Sequence, residues 1–142
     1  MAENQPIETA QLLAQFSQMY RTEIDTAMES VGMFRGQAML LCTLVKRDGM
    51  SQTEIAEQLS VQGATITNML QRMEESGLVV RHRDADDNRL VRVFITKEGK
   101  EKESAITQQL SEFEETVLHG ISQKDRVTLQ QLIWQMIENI SN

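Results

Sequence analysis

One cysteine, two histidines and no apolar run near the ~20 residues of a membrane span set the first limits on this 142-residue chain. Cys42 on its own rules out an intrachain disulfide and fits a reducing compartment. No signal-peptide pattern opens the sequence, so a cytoplasmic location with no membrane partner is expected. His82 and His119 lie far apart, and with a single cysteine they do not form the clustered tetrahedral set that zinc requires. Neither a metal nor a cofactor is expected. A phosphate-cradling glycine loop, a nucleophile with an evident base and a recognisable carboxylate pair are all missing, so an enzyme is not expected either.

Positive charge is also scarce. Fourteen Lys and Arg face 21 Asp and Glu, for a net charge of −7, which counts against a generic nucleic-acid binder. Its distribution weakens that objection: residues 61–100 carry a net +1, leaving −8 for the rest. Acidity is concentrated in the flanks, and the middle is the least negative region.

That middle is the most structured text in the chain. Ser51-Gln52-Thr53-Glu54 is a capping box, in which the Ser51 hydroxyl accepts from a free backbone N–H and Glu54 reaches back to the cap. Ile55, Ala56 and Leu59 follow at helical spacing, and Ser60 and Val61 make a turn. From about Gln62 to Glu75, Ile66, Met69, Leu70 and Met73 recur on one helical face. The opposite face carries Ala64, Thr67, Asn68 and Gln71, flanked by Thr65 and Arg72. Solvated surface helices usually carry Lys and Glu there. Short hydroxyl and amide side chains suit a helix that enters a major groove and exchanges hydrogen bonds with base edges. Gly77 ends the helix.

Two β-branched runs, Leu78 to Arg83 and Arg89 to Thr96, flank the turn-rich Asp84-Ala-Asp-Asp-Asn88, which predicts a hairpin presenting Arg89 at its tip. The fold class expected is mainly α with a small β-hairpin wing: a winged helix-turn-helix between N- and C-terminal helices. Arg89 is placed to enter a narrow minor groove. Arg81 and Arg83 either touch phosphate or pair with Asp84 and Asp86.

The order L-S-V-x-x-A-T-I-T-N-M-L-Q-R-M-E-x-x-G-L-V-x-R from Leu59, and R-D-x-D-D-N-R-L-V-R-V-x-I-T-x-E-G from Arg83, resembles the MarR family of bacterial transcriptional regulators. Asp87-Asn88-Arg89 matches that family's D-x-R wing signature, whose aspartate braces an arginine in the minor groove. The resemblance covers nearly the whole chain. It implies a dimeric regulator, a repressor relieved by a small aromatic or phenolic effector, on pseudo-palindromic operators of double-stranded DNA. It also implies a ligand cavity where dimerisation helices meet the winged region, to which Tyr20, Met33, Phe34 and Arg35 are assigned. DNA contact is assigned to Ser51, Gln52, Thr53, Gln62, Ala64, Thr65, Thr67, Asn68, Gln71, Arg72, Arg83, Asp87 and Arg89. The hydroperoxide-sensing branch carries its reactive cysteine in the first helix, whereas Cys42 lies in an apolar run of the second and is expected to be core.

The chain is expected to form one domain, with residues 32–100 winged and residues 1–31 and 101–142 as dimerisation helices. Leu12, Leu13, Phe16, Met19, Tyr20, Ile24, Ala27, Met28 and Val31 trace the first of these. Leu129, Leu132, Ile133, Met136, Ile137 and Ile140 form a terminal stripe that needs a partner surface, a second subunit being the economical one. The competing reading is a winged-helix protein-interaction module. It calls for apolar side chains on the outer face of the second motif helix, where this chain has Ala64, Thr67, Asn68 and Gln71.

Overall fold

The computed structural model describes residues 8–141, which form six helices and three short strands. In chain order these are α1 (Thr9–Ser30), α2 (Arg35–Lys46), β1 (Met50–Ser51), α3 (Gln52–Leu59), α4 (Gly63–Glu75), β2 (Val79–Arg83), β3 (Val91–Ile95), α5 (Lys97–Val117) and α6 (Gln123–Ser141). The first seven residues and Asn142, counted above with the dimerisation segments, lie outside the described residues.

The chain divides into two compact units, one ending at Leu110 and one beginning at Ser111. The first holds the core, built around Met28, Leu40, Leu41, Leu44, Ile55, Ile66, Leu70, Met73, Val79, Val93 and Ile106, all essentially without solvent contact. Met28 comes from α1, and Ile24, Ala27 and Val31 pack against the same cluster. The last turns of α1 thus belong to the core of the winged region, and the expected boundary at residue 32 does not coincide with a break in packing.

Local chemistry explains the elements. Ser51 caps α3 as expected: its hydroxyl accepts from the Glu54 N–H at 3.1 Å and the Glu54 carboxylate accepts from the Ser51 N–H at 3.0 Å. Ser60 ends α3 in the left-handed region at φ 54°, a conformation in which only short polar residues and glycine are common. Gly99, in the first turn of α5, lies so close to the residue before β2 that a Cβ there would fall 2.2 Å from the Leu78 carbonyl oxygen. Thr96 fastens the same junction, its hydroxyl donating to the Gly77 carbonyl at 2.6 Å and accepting from the Gly99 N–H at 3.0 Å.

The sheet has the order β1-β3-β2, antiparallel throughout. The expected hairpin is β2 with β3, Val79 pairing with Ile95 and Arg83 with Val91. The third strand, β1, is an addition to the expected fold. It pairs Met50 with Val93 and Ser51 with Arg92, so the cap of α3 is part of the sheet. Helix α2 buries Leu40, Leu41 and Leu44 and leaves Met39 and Val45 exposed.

In the second unit, none of the described residues is buried. Ser122 opens α6, its hydroxyl accepting from the Asp125 N–H at 3.2 Å, and Arg126 ties the preceding turn through Ile121 and Leu118 carbonyls and Glu115. Leu129, Leu132, Ile133, Trp134, Ile137 and Ile140 remain exposed.

Candidate nucleic-acid interface

Helix α4 is amphipathic in the predicted sense. Ile66, Leu70 and Met73 are buried, while Ala64, Thr65, Thr67, Asn68, Gln71 and Arg72 are exposed. Gln62, also exposed, precedes the helix without a side-chain capping bond, so the positive end of α4 keeps unpaired peptide N–H groups. Thr67 donates its hydroxyl back to the Gly63 carbonyl at 2.9 Å, and Gln71 donates to Glu75 at 3.3 Å. The side chain of Asn68 extends from the middle of this polar face.

The α3 residues assigned to the same surface differ among themselves. Thr53 is exposed. Ser51 is 4% exposed, and its hydroxyl is occupied as the α3 cap, so its assigned place in a contact surface is corrected to a structural one. Gln52 is half-buried and tied down: its amide donates to Thr67 at 3.5 Å and its carbonyl oxygen accepts from the Arg81 guanidinium at 3.3 Å. Arg81 also binds Glu74 at 3.2 Å, and its own N–H donates to the other Glu74 oxygen at 2.9 Å. These bonds to Arg81 hold the Glu74 carboxyl below its usual range, the side-chain bond contributing most. Arg81 therefore joins α4, β2 and α3; of the two roles expected for it, phosphate contact or pairing with Asp84 and Asp86, the structure gives a pairing, but with Glu74.

In the wing, Arg89 has an 89% exposed side chain and is held by Asp87 at two points, Nε to Oδ1 at 3.0 Å and Nη2 to Oδ2 at 3.1 Å. This fork keeps the Asp87 carboxyl below its ordinary range. Arg83 is less free than assigned, since it donates to the Asn88 carbonyl at 2.7 Å across the loop. Two residues that the sequence reading passed over complete the arrangement. Asp48 accepts from the Gly49 N–H at 3.1 Å and the Ile95 N–H at 2.9 Å, and Arg92 joins Asp84 to the Gly49 carbonyl. A charged residue inside the alternating run Val91 to Ile95 was the available signal for Arg92.

A cavity of about 360 Å³ lies in the first unit between α1, α2, α3 and α5. Its walls are Ile24, Met28, Arg35, Ala38, Met39, Cys42, Thr43, Lys46, Gln58, Leu59, Ile106 and Leu110. Of the four residues assigned to a ligand wall, Arg35 borders it, where it pairs with Asp25 at 3.6 Å. Met33 is buried in the core at 4% exposure, and Tyr20 and Phe34 are exposed. Those three do not line the cavity. Cys42 is half-buried on its wall, not enclosed in the core, and burial, followed by the charge of Glu103, pushes its thiol upward, toward the unreactive protonated form. Among the described residues no group of three or more His, Cys, Asp or Glu is arranged to hold a metal, and no helix is long and apolar enough to cross a membrane.

A polar helix face beside a two-stranded wing with an arginine at its tip defines a winged helix-turn-helix protein. The MarR family model matches residues 35–91. An uncharacterised HTH-type transcriptional regulator of Bacillus subtilis, YdgJ, is 28% identical over 111 residues, 78% of this chain and 68% of that protein. The HTH-type transcriptional repressor MdtR of the same organism is 31% identical over 82 residues, 58% of this chain and 53% of the repressor. Among solved structures, the MepR–DNA complex of Staphylococcus aureus superposes with a TM-score of 0.79 at 25% identity, covering 92% of this chain and 97% of that one. In its winged region and in its fold the chain is similar to transcriptional regulators of the MarR family.

Proposed function

We propose that the protein is a DNA-binding repressor that acts as a homodimer, α4 reading base edges in the major groove and Arg89 entering the flanking minor groove. The observation that carries this reading is the exposed polar face of α4, with Asn68 and Gln71 free of charge, next to an arginine fork at an exposed hairpin tip. The MepR complex with DNA supports it, as does the repressor name of MdtR. A protein-docking module would need large apolar side chains on that face of α4, where the methyl of Ala64 sits among Thr67, Asn68 and Gln71. With few basic residues on this surface, phosphate contacts are few and the salt dependence is shallow. Effector control rests on the cavity beside α2 and α3, whose volume suits a small organic ligand and whose apolar wall carries Arg35 and Lys46. A small phenolic anion fits that chemistry.

Titrating duplexes from the DNA flanking the protein's own gene, with A/T-rich and G/C-rich flanks, tests the reading. Asn68→Ala is expected to weaken binding by about 1–3 kcal/mol at one base pair, leaving random duplexes unaffected. Arg89→Ala should lose most on A/T-rich flanks without lowering the melting temperature. Equal loss on every duplex for Asn68→Ala would remove α4 from base reading.

A further inference from the structure

Arg92 lies in the middle of β3, paired with Ser51 of β1 on one side and His82 of β2 on the other. Its guanidinium bonds in two directions. Nε donates to Asp84 Oδ2, and Nη1 donates to the Gly49 carbonyl at 3.0 Å. The other oxygen of Asp84 accepts from the N–H groups of Asp86 at 2.8 Å and Asp87 at 2.9 Å, and the Asp84 N–H donates to the Leu90 carbonyl at 2.9 Å. Asp87 then grips Arg89, accepting from its backbone N–H at 3.1 Å as well as from its guanidinium. An unbroken chain of bonds therefore runs from Gly49, two residues before the α3 cap, through Arg92, Asp84 and Asp87 to Arg89.

We propose that Arg92 is a positioning residue for DNA reading, a strut that fixes the wing loop to the turn before α3 so that Arg89 and the helix-turn-helix meet DNA as one rigid body. The inference rests on the DNA-binding reading above. Without the strut, the wing loop keeps its hairpin ends but its tip is free to rotate, and ordering Arg89 is then charged against binding. The side chain of Arg92 is 35% exposed and lies outside the apolar core, so a leucine there keeps strand propensity and leaves the fold standing. A lysine keeps the charge but cannot donate from two nitrogens to Asp84 and Gly49 together.

The experiment is a double-mutant cycle on an A/T-flanked operator with Arg92→Leu, Arg89→Ala and both together, alongside Arg92→Lys and thermal melts of each. Arg92→Leu is expected to weaken specific binding about tenfold in the parent and very little once Arg89 is alanine, since the strut acts through that side chain. Arg92→Lys should behave like Arg92→Leu. Equal losses in both backgrounds, or full rescue by lysine, would overturn the proposal, because Arg92 would then act on DNA directly through its charge or through general stability. In the free protein, ¹⁵N relaxation of the Asp86, Asp87 and Arg89 amides should show a more mobile wing loop in Arg92→Leu. An unchanged loop overturns the strut even if affinity falls. A parent that binds no duplex, with a loosened loop in the variant, overturns DNA reading while leaving the mechanical link intact.

Discussion

The two compact units of this chain are built on opposite principles. Up to Leu110 the chain encloses its own core, with eleven large side chains essentially sealed from solvent. From Ser111 none of the described residues is buried, although α6 carries Leu129, Leu132, Ile133, Trp134 and Ile137 along its length. A helix that leaves such a set in water gains little of the ~25 cal/mol per Å² that burial provides, and its own propensity does not replace that gain. The winged unit has a buried core of its own. The second unit leaves an apolar stripe uncovered, and a homodimer is the economical assembly to cover it in a protein whose winged unit alone would read one half-site.

The comparison breaks first at α6. Deleting Leu129 to Asn142 should leave the winged core folded yet yield a monomer, and specific operator affinity should fall by about 10³-fold toward the nonspecific level. Sedimentation equilibrium gives the assembly state, and a binding titration gives the affinity. A truncated monomer that still bound its operator tightly would show that the second unit is dispensable for reading DNA.

Two leucines sharpen the contrast. Leu70 is wholly buried under α4, so Leu70→Ala should cost about 2–5 kcal/mol, with the loss independent of protein concentration. Leu132 is 54% exposed, and Leu132→Ala should act on association instead. Its melting temperature would approach that of the parent as concentration rises. Thermal melts over a wide concentration range separate the two behaviours, and a concentration-independent loss at Leu132 would mean that the second unit has a core of its own.

What could be read from the sequence divides along the same line between local and distant causes. The α3 cap is settled within four residues, Ser51 to Glu54, and the buried stripe of α4 repeats within its own helix, so both were legible. So was the hairpin, whose strands are neighbours in the chain. Strand β1 was not, because two residues become a strand only by pairing with Val93 and Arg92 some forty positions later. For the same reason the cap that marked Ser51 as polar and helix-initial also drew it into the contact surface, while its burial comes from the sheet above it. The cavity walls come from four helices, and three of the four residues assigned by resemblance missed them. Arg89 was legible as an exposed tip, but its dependence on Arg92 arises from bonds that cross the loop.

The smallest expected difference concerns acid. Arg92 holds the Asp84 carboxyl below its ordinary range, helped by the N–H groups of Asp86 and Asp87, and Arg89 does the same for Asp87. The Ser51 N–H, more than Arg47, lowers Glu54. A carboxylate whose pKa is lower folded than unfolded stabilises the fold above its unfolded pKa, and that contribution disappears as pH falls through the unfolded and then the folded value. All three groups belong to the winged unit and bind the wing and the α3 cap together. The winged unit should therefore weaken from about pH 4 downward, by a modest amount because solvent screens these groups. Asp84→Asn isolates the wing's share. Asparagine can still accept from the two loop N–H groups but gives up the charge that Arg92 binds, so the variant should be less stable than the parent at neutral pH. As pH falls and the parent's Asp84 is protonated, the two stability curves should converge. Denaturant melts of both proteins across the acid range measure this, and parallel curves would show that the Asp84 and Arg92 pair contributes no pH-dependent stability to the wing.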